Sequence, residues 1–131
     1  MRRVAVLSHS PEARTRLCRQ LGDHLARMGY FPCLEAPEEL ENFYYTMRTS
    51  PPDGVVLAMD GVAGLNAAEH LRRLCPRCAL IWSSDLDFSL QAYRLRADYF
   101  VQGEWTEETL REGLSRWVER NKQRKKGRFE E

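Results

Sequence analysis

The first 118 residues contain no lysine; Lys122, Lys125 and Lys126 all lie beyond residue 119. Any chemistry that needs a lysine ammonium in the folded body is thereby excluded. No apolar run approaches the roughly 20 residues of a membrane-spanning helix. Met1-Arg2-Arg3 leads into only four apolar residues before polar ones follow, too short a stretch for a signal peptide. Low-complexity tracts, internal repeats and phosphate-cradling glycine-rich loops are also missing. Cysteine is scarce: Cys18, Cys33, Cys75 and Cys78. Cys75-Pro76-Arg77-Cys78 is a CxxC, but it follows a helical pattern and precedes a strand. A redox pair needs a helix N-terminus, and a zinc site needs a second close-spaced pair. Plain loop and core cysteines are the expectation, with no metal and no cofactor.

What is present fits one globular domain. The chain has 131 residues, 43% hydrophobic and 30% charged, enough to bury a single core. The net charge of +1 is unevenly spread. Residues 1–118 carry a balance of −2 and residues 119–131 a balance of +3. The expected division is therefore a body over 1–118 and a basic helical extension over 119–131. A cytoplasmic location is expected.

Five strand-like runs alternate with five helical patterns. Val4–Leu7 is a short apolar run typical of a buried parallel strand. Ser10-Pro11 opens a helix, with serine as N-cap and proline in the first turn. Ala13, Leu17, Leu21, Leu25 and Met28 form its apolar stripe, and Gly29 ends it. Tyr30–Leu34 reads as a second strand, and Pro37 as the start of a second helix carrying Leu40, Phe43, Tyr44 and Met47. Val55–Ala58 is the third strand, and Asp60–Gly64 reads as a loop. A third helix bears Leu65, Ala68, Leu71 and Leu74. Ala79–Trp82 is the fourth strand, Phe88–Arg96 a fourth helix and Tyr99–Val101 the fifth strand. Thr106 caps a fifth helix, with Glu107 and Glu108 favoured in its first turn and a stripe of Leu110, Leu114, Trp117 and Val118. His24 and His70 read as helix-surface residues. The alternation implies an α/β protein with a parallel sheet covered on both faces. Ligands of such sheets sit beyond the carboxyl ends of the strands, here Ser8-His9-Ser10, Ala58, Ser83-Ser84 and Gln102-Gly103.

Residues 3–119 resemble a response-regulator receiver domain, most of all the LytTR-type branch. Ser83 matches the threonine that ends the fourth strand, and Ala92-Tyr93 matches an Ala-Phe pair nine residues on. Asp98-Tyr99-Phe100-Val101 matches Asp-Tyr-Leu-Leu. Gly64-Leu65 and Leu71-Arg72 match the third helix, and Pro52-Asp53 the approach to the third strand. The resemblance implies a flavodoxin-like (βα)5 fold, doubly wound, with strand order 2-1-3-4-5 and a role in two-component signalling.

The family's phosphoryl-transfer residues do not carry over. Ser8 and His9 stand where an acidic pair binds Mg²⁺, a cation that wants carboxylate oxygens. Ala58 replaces the nucleophilic aspartate. Gln102, or Gly103 after a one-residue shift, replaces the lysine. Ser83 and Tyr99 keep the switch positions, read here as a strand-end polar residue and a packed ring. Asp60, two residues past the phosphoacceptor position, is a weak substitute. Without Mg²⁺ or lysine it lacks the charge stabilisation on which phosphoryl transfer relies. His9 reads as a loop histidine assisting Ser8 and Ser10, with proton sensing or metal binding beside Cys18 or Asp60 as alternatives.

Three functions are open at this level. The first is a non-enzymatic regulatory module that binds a protein partner, or a second copy, through the face of the fourth helix, fifth strand and fifth helix. Phe88, Gln91, Tyr93, Arg94, Arg96, Asp98, Trp105, Arg111 and Arg116 lie near that face by resemblance, and arginines and aromatics are common interface anchors. Trp105 is expected to be partly exposed, because it precedes a helix cap. The second is nucleic-acid binding through Arg120, Lys122, Arg124, Lys125, Lys126 and Arg128, against a plain solvated helix end. The third, an enzyme on a flavodoxin-like sheet, lacks a nucleophile–base pair.

Overall fold

The computed structural model describes the backbone of residues 2–130 and the side chains of residues 2–123. Ten elements alternate: β1 (Arg3–Ser8), α1 (Pro11–Arg27), β2 (Cys33–Glu35), α2 (Leu40–Met47), β3 (Gly54–Ala58), α3 (Gly61–Leu74), β4 (Ala79–Ser84), α4 (Ser89–Arg94), β5 (Tyr99–Gln102) and α5 (Glu107–Glu130). The strands form one parallel sheet in the order β2-β1-β3-β4-β5, as the resemblance implied. Side-chain alternation splits the core into two layers. Ala5, Leu7, Leu57, Leu80 and Trp82 face α2, α3 and α4. Val4, Val6, Val56 and Ile81 face α1 and α5, meeting Leu17, Leu21, Leu110, Leu114 and Trp117. Burial on both faces is why β1, β3 and β4 read as unbroken apolar runs. Among the described residues no helix is long and apolar enough to cross a membrane.

Several boundaries differ from the sequence reading, each for a local reason. Tyr30 does not begin β2. Its N–H bonds the carbonyl of Leu25 at 2.8 Å, and Gly29, at φ +87°, turns the chain at the end of α1. This is glycine-assisted helix closure, and the strand waits until Cys33 pairs with Arg3. α2 starts at Leu40 rather than Pro37, because Glu39 is still extended and accepts the first helical bond from Phe43. α3 starts at Gly61, so the expected loop through Gly64 is helix. His24 is buried rather than on the surface; it lies three residues past Leu21, on the edge of the α1 stripe. α5 continues through the basic extension without a break.

The amino edge of the sheet is tied by two aspartates. Asp53, just before β3, accepts the amide of Arg3 at 2.9 Å and also that of Arg2. Its carbonyl receives the amide of Ala79, which opens β4. Asp98, just before β5, accepts the amide of Leu80 at 2.8 Å and pairs with Arg120 of α5. Partial burial pushes the Asp53 carboxyl up, but the two amide donors outweigh it and hold it below its ordinary value.

Arg72 is the least expected part of the interior. It is 8% exposed, and no carboxylate bonds to it. Its guanidinium donates to the carbonyls of Cys75, Pro76 and Cys78 after α3, and to those of Leu95 and Arg96 after α4, at 2.7–3.2 Å. A planar fork with five N–H donors suits this set; a lysine ammonium has three.

Two outcomes follow for stability. Arg72→Met takes the guanidinium donors from these carbonyls, though that of Cys75 still receives the Cys78 thiol, and lowers the unfolding free energy by about 2–4 kcal/mol in urea titration. Arg72→Lys recovers only part of it, and full recovery by lysine would contradict the account in which the three guanidinium nitrogens reach carbonyls after both helices. Asp53 has a folded pKa below its unfolded one. Its contribution is therefore complete above the unfolded value and is lost as pH falls through the folded value. The stability gap between wild type and Asp53→Asn closes on acidification; a gap that stays constant to the acid limit would refute the assignment.

Candidate functional site

Pairing register brings three sequence-predicted positions side by side: Ser8 beside Ala58, and Ala58 beside Ser83. Equal register in parallel strands puts their side chains on one face, here the α1/α5 side. Gln102 pairs instead with Ser84 and falls on the opposite face. Its amide nitrogen donates to the carbonyl of Asp85 at 3.1 Å. Gly103, at φ +109°, continues the ladder by bonding the carbonyl of Ser84 at 2.7 Å.

A cavity of about 280 Å³ lies over this row, with Ser8, Ala58 and Ser83 on its floor and Glu12, Arg16 and Asp60 among its walls. Trp105 closes one side. This corrects its expected exposure: Trp105 is 8% exposed, and its ring stacks on Tyr99 at 6.1 Å. Its indole N–H has no hydrogen-bond partner among the described residues. A residue just before a helix cap can fold back over the strand ends, and Trp105 does so.

The start of α1 is held by serines. Ser10 Oγ accepts the amide of Ala13 at 3.2 Å, and Ser8 Oγ accepts that of Ser10 at 3.3 Å. Arg14, itself buried, donates to the carbonyl of Ser8 at 2.7 Å. His9 takes no part in these bonds. It is exposed and lines a separate groove between α2 and α3 with Tyr44 and His70, whose rings meet edge-on at 4.3 Å. His9 and Asp60 therefore border different cavities. Among the described residues no group of three or more His, Cys, Asp or Glu side chains could hold a metal ion. Cys75 and Cys78 are buried beyond the end of α3. Burial pushes the Cys78 thiol well above its ordinary value, opposite to what a reactive thiolate needs.

Asp60 is exposed, as a solvated aspartate would be, but it is not idle. Its Oδ1 accepts the amide of Asp85 at 3.0 Å, while Asp85 Oδ1 accepts the amide of Gly61 at 2.8 Å. The two aspartates thus clasp the start of α3 to the loop that follows β4. Asp85 also supplies a carboxylate to a first-turn amide of α3, which the helix dipole favours. The tight turn into α3 needs Gly64: a Cβ there would stand 2.1 Å from the carbonyl oxygen of Met59.

The remaining candidates divide by exposure. Phe88 is buried, stacked on Trp82 at 5.5 Å. Asp98 is committed to Arg120 and Leu80. Tyr93 is 83% exposed, and Arg94, Arg96 and Arg111 are exposed as well. Tyr99 is half-buried; its hydroxyl donates to Glu112 at 3.0 Å and Arg116 sits 5.3 Å over its ring. Burial, then the bond to Glu112, raises the Tyr99 pKa. In the basic extension Arg120 is engaged, also donating to the carbonyl of Arg77, and Lys122 is exposed. The side chains of Arg124, Lys125, Lys126 and Arg128 lie outside the described residues. Arg14, Arg72 and Asp85 were missed by sequence reasoning. The available signal was an arginine adjoining the core stripe of a helix in the first two.

Neither a protein-family model nor a curated protein matches the sequence. Solved structures do. A response-regulator receiver domain protein from Clostridium thermocellum matches with TM-score 0.70 and 14% identity, covering 93% of this chain and 98% of that one. CpaE of Burkholderia thailandensis, a proposed pilus assembly protein, matches with TM-score 0.68 and 21% identity over 91% and 99%. DrrB, an OmpR/PhoB homolog from Thermotoga maritima, matches with TM-score 0.65 and 17% identity. That match covers 92% of this chain, which spans about half (54%) of the regulator's length. The fold is that of a receiver domain.

Breaking the clasp should loosen the start of α3. Asp85→Ala removes the acceptor of Gly61 and costs about 1–2 kcal/mol by urea unfolding. It also speeds amide exchange at Gly61 and Val62. Unchanged exchange there would show that the clasp holds nothing.

Proposed function

We propose that this chain is a regulatory receiver-like module of the cytoplasm that acts by protein–protein interaction and does not pass its signal through an aspartyl phosphate. The observation that carries the reading is the strand-end row Ser8, Ala58, Ser83: no carboxylate nucleophile stands beside the switch hydroxyl position. The lysine-free body adds a second loss. Phosphoryl transfer works almost wholly by positioning and charge stabilisation. A site without the acidic pair, the acceptor and the lysine has none of the three parts. Asp60 does not replace the acceptor, because its carboxylate is used to hold Asp85.

The receiver-like unit spans residues 1–118, and residues 119–131 form a basic helical extension. The partner meets the α4–β5–α5 side. Tyr93, Arg94, Arg96 and Arg111 are exposed there, and an aromatic among arginines is a usual hot-spot composition. Four such residues suit an acidic protein surface. The chain is not an enzyme on this reading. Nucleic-acid binding by the extension is the weaker alternative, since Arg120 is already paired with Asp98.

Incubation with acetyl phosphate and Mg²⁺, followed by intact-mass measurement, leaves the protein unmodified. Ala58→Asp stays unmodified as well, because the acidic pair and lysine are still missing. A labile acyl phosphate on wild-type Asp60 would overturn the proposal.

A further inference from the structure

The α3–α4 side carries exposed apolar surface that the receiver-like reading leaves unused. Val62 is 64% exposed, Leu86 46% and Leu90 57%. The bond from the Gly61 amide to Asp85 joins the residues that directly precede Val62 and Leu86. A groove of about 210 Å³ runs between the helices, with Leu65 and Glu69 on the α3 bank and Arg94 on the α4 bank. Steps of three and four residues align Val62, Leu65 and Glu69 on α3, and a step of four aligns Leu90 and Arg94 on α4; Leu86 lies in the loop before α4. Both helices follow parallel strands and run in the same direction. Both banks are apolar toward their amino ends; farther along, Glu69 on the α3 bank and Arg94 on the α4 bank carry opposite charges, and the last turn of α3 itself carries Arg72 and Arg73. Neither Glu69 nor Arg94 makes an ion pair among the described residues.

We propose that this face binds a second copy of the chain, with the two-fold axis running along the α3–α4 groove. A two-fold axis in that direction exchanges the banks and keeps height along the groove. Each α3 bank then meets the partner copy's α4 bank. Apolar ends meet apolar ends, and each Glu69 meets the other copy's Arg94. A two-fold interface must be self-complementary, and unpaired opposite charges at equal height on opposite banks meet that requirement. An axis across the groove would set Glu69 against Glu69 and Arg94 against Arg94. The surface is short, so a weak, concentration-dependent dimer is expected, at the small end of specific interfaces. Of the α4–β5–α5 arginines, Arg96 and Arg111 remain free for a different partner.

Sedimentation equilibrium on the full chain tests this, from low micromolar to near-millimolar protein. Wild type shifts from monomer to dimer over that range. Leu90→Asp, on an already exposed site, abolishes the dimer. Glu69→Arg and Arg94→Glu each weaken it by about tenfold, since each sets like charges face to face. The double variant Glu69→Arg/Arg94→Glu restores it. Wild type that stays monomeric throughout would overturn the pairing. So would a dimer insensitive to Leu90→Asp, or one lost on Arg111→Glu alone, which would locate self-association on the α4–β5–α5 side. A double variant no better than the singles would remove the Glu69–Arg94 exchange and with it the proposed axis. The outcome is separate from the acetyl phosphate experiment: a modified Asp60 says nothing against the dimer, and a monomer says nothing for phosphorylation.

Discussion

The position of α4 depends on one buried guanidinium. Arg72 stands on α3, yet its donors reach the carbonyls that close both α3 and α4. Without them those carbonyls would lose their guanidinium donors, the Cys75 carbonyl keeping the Cys78 thiol, and an unmet buried carbonyl is costly. Arg96 illustrates the arrangement. It is the only non-glycine residue at positive φ, 55°, among the described residues, a conformation that normally favours glycine. Its carbonyl is held by Arg72 at 3.2 Å while its side chain remains exposed. The strain is small, and the fork that offsets it also fixes where Tyr93 and Arg94 emerge.

At the carboxyl edge of the sheet, most polar side chains have structural roles. Ser8 and Ser10 cap α1, Asp60 and Asp85 cross-link two loops, and Gln102 bonds a backbone carbonyl. Each of these polar groups meets another part of the protein. The exception is the Trp105 indole above the Ser8–Ala58–Ser83 floor, unpartnered among the described residues. The site is best described as a strand-end junction with a residual cavity.

Much of the fold was legible in the sequence, because buried parallel strands are apolar runs and their covering helices carry stripes at three- and four-residue steps. The strand ends were legible for the same reason, so Ala58 and Ser83 were found at their places. What failed was anything decided by one specific contact rather than by the hydropathy pattern. Gly61 and Gly64 looked like loop residues by propensity, yet Gly64 is there to admit the Met59 carbonyl beneath a helix. Tyr30 had a strand-like neighbourhood, but its amide was needed to close α1. Arg14, His24 and Arg72 were polar by type and buried in fact. Arg14 and Arg72 border a core stripe and are long enough to reach carbonyls, a property that hydropathy patterns do not register. Trp105 was placed by its neighbour, a helix cap, and the cavity beside it could not be foreseen.

A phosphorylated receiver responds because the modification changes the relative energies of two conformations; a ligand with no differential interaction shifts nothing. Tyr99 and Ser83 here have fixed surroundings. The Tyr99 hydroxyl is bonded to Glu112, its ring lies between Trp105 and Arg116, and the residue beside Ser83 is an alanine. On the proposed reading, then, the interaction surface is present at all times, and its occupancy follows concentration by mass action. Control of such a module passes from chemistry at a strand end to the amounts of the chain and of its partner.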